Sequence, residues 1–124
     1  QLEKIHEILK KKRKIFLYYK NNIKKKELSF FPESKNMSST HWLSGILLKN
    51  KKKTNKLISQ FIKNNIEAKN FWKPIHLQKP YKNHLCEKVK VSEEIWKNIL
   101  TLPSGANLQL DDLKKICKLV NKNV

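Results

Sequence analysis

The chain has 124 residues and sets 28 lysines and arginines against 10 acids, a formal charge of +18, with 39% hydrophobic and 9% aromatic residues. That length holds one small domain, and lysines interrupt every apolar stretch well short of the ~18 residues a membrane-spanning helix needs. Three tryptophans and five phenylalanines supply a core, which argues against simple disorder.

The first predicted element is an amphipathic helix. Leu2, Ile5, Leu9, Phe16, Tyr19 and Ile23 recur at spacings of three, four or seven, leaving Lys10, Lys11, Lys14 and Lys20 to solvent. No capping residue precedes Leu2, so the helix is expected to begin upstream of Gln1, and the chain reads as cut from something longer. The stretch from Leu2 to Leu9 has no signal-peptide character. Residues 27–31 form a short apolar-aromatic strand stopped by Pro32, and 34–40 a polar loop. Residues 41–49, with Trp42, Leu43, Ile46, Leu47 and Leu48, suit a largely buried strand in which Gly45 marks a bulge or a close backbone contact; a helix fits the same apolar run.

Thr54 is the expected N-cap of a second helix with Leu57, Ile58, Phe61 and Ile62 as its stripe, and Asn64 and Asn65 suit a left-handed end. Ile66 returns the chain to the core. Residues 67–72 read as a strand terminated by Pro74, and 73–83 as an irregular loop with two prolines. Ser92, Glu93 and Glu94 open a helix whose Ile95, Trp96 and Ile99 face inward, the acids suiting the positive end of the helix dipole. A short apolar strand at 99–102 leads to the turn Pro103-Ser104-Gly105. Asp111 caps a last helix with Leu110, Leu113, Ile116, Cys117 and Val120 on one face. The order implies an α+β domain, a small and mostly antiparallel sheet layered with helices behind the long amphipathic one. Trp42 and Trp96 are expected inside.

The charge is almost all lysine, Arg13 being the only arginine. Arginine makes the bidentate phosphate and guanine contacts that lysine makes only as a point charge. Lysine, asparagine and isoleucine also share A/T-rich codons, so base composition accounts for the bias as well as a polyanion partner does. Cys86 and Cys117 are too few and too far apart for a disulfide framework or a zinc knuckle, which suits a reduced cytoplasmic protein. No catalytic constellation, glycine-rich phosphate loop or metal-ligand spacing assembles from the sequence. The segment Phe71-Trp72-Lys73-Pro74-Ile75-His76-Leu77-Gln78 stands apart: rings to stack, a cation and a donor suit an anionic, ring-bearing ligand. Composition alone leaves a proline-kinked connector standing beside that reading.

The sequence resembles the C-terminal part of the DegT/DnrJ family of pyridoxal-phosphate-dependent nucleotide-sugar aminotransferases of fold type I. The match runs through Gln1-Leu2-Glu3-Lys4-Ile5 with Lys12-Arg13-Lys14-Ile15-Phe16 and Tyr19, then Thr40-His41-Trp42-Leu43-Ser44, the Trp72-Lys73-Pro74-Ile75-His76 loop, and Leu102-Pro103-Ser104-Gly105. The resemblance implies that residues 1–25 are part of a long interdomain helix and 26–124 a small domain. It implies an activity in which glutamate converts pyridoxal phosphate to its amine form, which then aminates a 4-keto nucleotide-sugar for bacterial surface glycans. The family's Schiff-base lysine and cofactor contacts lie in a large domain that this chain lacks, so no catalytic residue and no bound cofactor are expected here, and no transaminase activity from the chain alone. The large domain or a homodimer mate is the implied partner. Trp72, Lys73 and His76 are carried over as substrate-facing, with His41 a further substrate-binding candidate. Leu2, Ile5, Leu9 and Phe16 are then expected on the face the large domain would cover. The alternative in kind is a small lysine-rich module binding nucleic acid or an anionic surface, which calls for aromatics exposed beside the lysines.

Overall fold

A computed structural model describes residues 2–33 and 35–124; Gln1 of the expected first helix and Ser34 of the expected polar loop lie outside the described residues. The elements follow the expected order: helix α1 (Ile5–Asn22), strands β1 (Leu28–Phe30) and β2 (Ser44–Leu48), helix α2 (Lys51–Lys63), strand β3 (Lys69–Asn70), the short helix α3 (Lys90–Ile95), strand β4 (Ile99–Leu102) and helix α4 (Leu110–Asn123). The strands form one antiparallel sheet in the order β1-β2-β4-β3. Successive side chains of a strand point to opposite faces. Ile46 and Leu48 of β2 and Leu100 and Leu102 of β4 therefore share one face, where they pack on Ile15 and Tyr19 of α1, Leu57 and Phe61 of α2, and Leu113, Ile116 and Val120 of α4. Gly45, Leu47, Ile99 and Thr101 lie on the other face by the same register.

Several boundaries move, each for a local reason. The cap of α2 is Asn50, whose side-chain oxygen accepts from the Lys53 backbone N–H at 3.0 Å, so the helix starts a turn before Thr54. Thr54 is instead buried in the first turn and donates back to the Asn50 carbonyl. Helix α4 is capped by Gln109, which exchanges hydrogen bonds with Asp112 in a capping box. Asp111 pairs with Lys114, and Leu110 is exposed, off the buried stripe. Helix α3 begins at Lys90, two residues before Ser92. Strand β3 keeps only two of the six expected residues, because its single partner β4 is four residues long and the chain leaves it at Trp72. The β2–β4 register runs unbroken through Gly45, so no bulge forms; Phe31 and Ile99 lie 3.4 Å from where a Cβ would sit. Asn65 takes the expected left-handed turn, φ 56°.

Trp96 is half-buried, and Trp42 is 64% exposed rather than inside. The cause is His41, whose φ of 48° turns the backbone just before β2. His41 goes inward, its ring stacked 4.0 Å from that of Phe16, and Trp42 goes out. Phe16 is accordingly buried, whereas Leu2 and Ile5 stay exposed.

The core also stores a dependence on alkaline pH. Burial pushes the Cys117 thiol up to about 11 from 9.0, and raises the Tyr19 phenol, with the nearby Cys117 and Asp112 adding to the effect. Such groups keep their protons longer folded than unfolded, so the stability Cys117 contributes is complete below about pH 9 and lost as pH rises through about 11, while that of Tyr19 is lost only at higher pH. Urea midpoints are expected to hold to about pH 8.5 and fall by about pH 10.5, with a shallower fall in Cys117→Ala. An identical slope in that variant would contradict the assignment to Cys117.

Candidate functional site

The loops that carry the site hang from the turn after β4. Ser104 is buried; its hydroxyl accepts from the Ser44 backbone N–H at 2.8 Å and donates to the Leu102 carbonyl at 2.8 Å. The Tyr19 hydroxyl donates to the Pro103 carbonyl at 2.8 Å. Lys12 of α1 donates from Nζ to the carbonyls of both Trp42 (2.9 Å) and Ser104 (2.8 Å). Burial lowers the pKa of this ammonium, which holds two carbonyls rather than a carboxylate. One lysine thus ties the first helix, the start of β2 and the Pro103-Ser104 turn together.

At the far side of β4 the chain leaves β3 through Phe71, whose N–H bonds the Ile99 carbonyl at 3.1 Å. Trp72 then lies beside Trp42, ring centres 5.5 Å apart, and beside Phe71 at 5.1 Å. Pro74 starts a single 3-10 turn, Ile75–Leu77, and the Gln78 side chain closes the loop by donating to the Lys73 carbonyl at 2.9 Å. Trp72, Lys73 and His76 line one cavity of about 500 Å³, whose opposite wall is Ile95, Trp96 and Ile99. His76 Nε2 lies 2.9 Å from Glu93 Oε1 on α3. Aromatic walls, the exposed Lys73, and His76 backed by Glu93 give the cavity the means to stack a ring and to bind both hydroxyl and anionic oxygens.

His41 is not brought to this cavity. It is 5% exposed, sits 3.2 Å from Glu33 Oε1, and lines a separate cavity of about 290 Å³ with Phe16, Phe31 and Met37. Burial lowers its pKa; Glu33 pulls the other way, and Arg13 and Lys20 add to the lowering. A third cavity, about 560 Å³, opens between β3 and α4 over Ile66, Leu102 and Leu108, but its Asp112 is engaged in the helix cap and its Lys115 reaches the Asn64 carbonyl. Among the described residues no three His, Cys, Asp or Glu side chains gather as a metal site, and no helix is long and apolar enough to cross a membrane.

Three participants escape the sequence. Glu93 reads there as a helix-start acid, and its 17-residue separation from His76 gives no local signal. Trp42 reads as core, and Lys12 is given no role beyond its place in the matched segment Lys12-Arg13-Lys14-Ile15-Phe16. Lys12 and Trp42 lie in segments that carry the family resemblance, whereas Glu93 lies in none of them.

The sequence profile of the DegT/DnrJ/EryC1/StrS aminotransferase family matches residues 1–121. The chain is 30% identical over 125 residues to EpsN of Bacillus subtilis, assigned as a pyridoxal phosphate-dependent aminotransferase, covering 97% of this chain and 32% of that protein. It is 29% identical to the GDP-perosamine synthase of Vibrio cholerae, covering 97% of this chain and 34% of the relative. The chain therefore spans about a third of the length of the curated relatives it matches. Among solved structures it superposes on Helicobacter pylori PseC, an aminotransferase involved in pseudoaminic acid biosynthesis, with a TM-score of 0.83 and 27% identity over 99% of this chain and 34% of that one.

Ser104→Ala removes one hydroxyl that serves two buried backbone groups and leaves the Ser44 N–H without its acceptor. The expected loss is about 1–3 kcal/mol in urea unfolding, against under about 0.5 for the exposed Ser38→Ala. Equal effects would contradict the role given to the turn.

Proposed function

The chain belongs to the DegT/DnrJ/EryC1/StrS aminotransferase family, and on that premise we propose that residues 26–124 are the C-terminal small domain of a pyridoxal-phosphate-dependent enzyme. The enzyme transfers an amino group from glutamate to a 4-keto nucleotide-sugar for bacterial surface glycan synthesis, in the cytoplasm, and residues 1–25 belong to the long helix between its domains. The observation that carries this reading is the convergence of Trp72, Lys73 and His76 on one cavity, with Trp42 alongside. Trp72 walls or stacks a ring of the substrate, Lys73 neutralises the diphosphate, and His76 hydrogen-bonds a hydroxyl or phosphate oxygen of the substrate. His41, buried and stacked on Phe16, does not reach the same cavity.

Pyridoxal phosphate supplies the electron sink for amine transfer when bound. The residues of this chain do not fit it. Lys12 commits its amine to two carbonyls, and Lys73 lies in a loop without a carboxylate for a pyridine nitrogen or a glycine-rich cup for a phosphate. The cofactor then belongs to the family's large domain, which, alone or with a homodimer mate, is the partner for the exposed Leu2, Ile5, Trp42 and Trp72.

The exposure of Trp42 and Trp72 on a chain of charge +18 meets a requirement of the second reading, a module for nucleic acid or an anionic surface. The two readings separate by ligand. UDP-glucose is expected to quench tryptophan fluorescence saturably, with Trp72→Ala and Lys73→Ala each weakening binding about tenfold, roughly 1.4 kcal/mol. No quenching at ~10 mM, against duplex DNA bound with a logarithmic salt slope of about −0.9 per phosphate contacted, would favour the module. Mixed with pyridoxal phosphate and glutamate, the chain alone is expected to leave the cofactor absorbance unchanged; conversion to the amine form would contradict the division of labour.

A further inference from the structure

His76 and Glu93 come from different segments, the loop after β3 and helix α3, and meet at 2.9 Å. The His76 side chain is 15% exposed and that of Glu93 42%. An ionised carboxylate has only acceptor sites, so the imidazole nitrogen it faces, Nε2, is the one that must carry the proton. A neutral imidazole has one N–H and one lone pair. Once Nε2–H is committed to Glu93, the lone pair resides on Nδ1. Lys73, three residues before His76 in the same loop, also lines the cavity.

We propose that Glu93 is a positioning residue that holds His76 in its Nε2–H form, leaving Nδ1 as a hydrogen-bond acceptor that selects a hydroxyl of the ligand over a phosphate oxygen. This rests on the reading of loop 71–78 as substrate-facing. The selection follows from charge and lone pairs. A phosphate oxygen offers no proton to Nδ1, and it is repelled by the Glu93 carboxylate at the other end of the ring. A sugar hydroxyl donates to Nδ1 without meeting either difficulty. Phosphate is left to Lys73, and the two side chains of one loop divide the ligand into its hydroxyl-bearing and its anionic part. Nothing in the local sequence couples residues 76 and 93; the pairing is made by α3 packing across the cavity from the Pro74 turn.

The test is imidazole ¹⁵N NMR of the intact chain at alkaline pH, where the proton-bearing and bare nitrogens of a neutral ring resonate far apart. The wild type is expected to carry the proton on Nε2 of His76. Glu93→Ala is expected to shift the ring toward a mixture of tautomers, and Glu93→Gln, which keeps an acceptor oxygen, to restore the Nε2–H form. A purely structural role would lower stability without moving the tautomer. A proton on Nδ1 in the wild type, or a ratio unchanged in Glu93→Ala, would overturn the proposal. In a second arm, UDP-glucose is expected to shift the Nδ1 resonance and UDP alone to leave it in place. Equal shifts with both would overturn the selection for hydroxyl. If UDP-glucose moves no resonance of residues 71–78, the substrate-facing reading falls and takes the hydroxyl assignment with it, whereas the tautomer result tests Glu93 independently of either ligand.

Discussion

The Ser104 hydroxyl is the point on which the arrangement of the loops depends. It accepts from β2 and donates to β4, and the adjoining carbonyls of Pro103 and Ser104 accept from Tyr19 and Lys12 of α1. Each of these bonds closes more than 50 residues of chain except the local one to Leu102, so together they fix where the first helix crosses the sheet. Buried donors and acceptors that lose a partner cost the full desolvation of the group left behind. That asymmetry holds the turn rigid. Lys12 extends the same constraint to the Trp42 carbonyl, so the exposed indole rests on a backbone fixed from both sides.

The sheet then separates two tasks. One face is closed by α1, α2 and α4 over an apolar core in which even Cys117 behaves as a small hydrophobe. The edge strand β3 is only two residues long, and its shortness releases the chain into the Trp72 loop instead of continuing the ladder. Regular structure in that loop is limited to two short 3-10 turns, Ile75–Leu77 after Pro74 and Lys79–Tyr81 around Pro80. The result is a cavity with aromatic walls between loop and α3, set beside indoles that a monomeric small domain has no structural need to expose. The curated relatives that the chain matches are about three times its length.

The order of elements was legible because long apolar stripes are; α1, α2 and α4 each announce a period of 3.6, and β2 and β4 each form an apolar run between turn residues. Caps were less legible. Asn50 and Gln109 lie next to equally plausible Thr54 and Asp111, and only the backbone path decides which side chain reaches a free N–H. Trp42 misled because a tryptophan in an apolar run usually belongs inside; the positive φ of His41, which no composition signals, reverses the two side chains. Of the candidate residues, Trp72, Lys73 and His76 share a cavity as their closeness in sequence suggests, whereas His41 lines a separate one. The Glu93 partner was invisible because a contact across 17 residues of irregular chain has no period to betray it.

The most direct measurement is the crystal structure of this chain grown with saturating UDP-glucose. The sugar-nucleotide is expected against Trp72 with its diphosphate on Lys73 and a hydroxyl within hydrogen-bond distance of His76. Ligand density confined to the cavity between β3 and α4, or none in the Trp72 loop at saturation, would contradict the site.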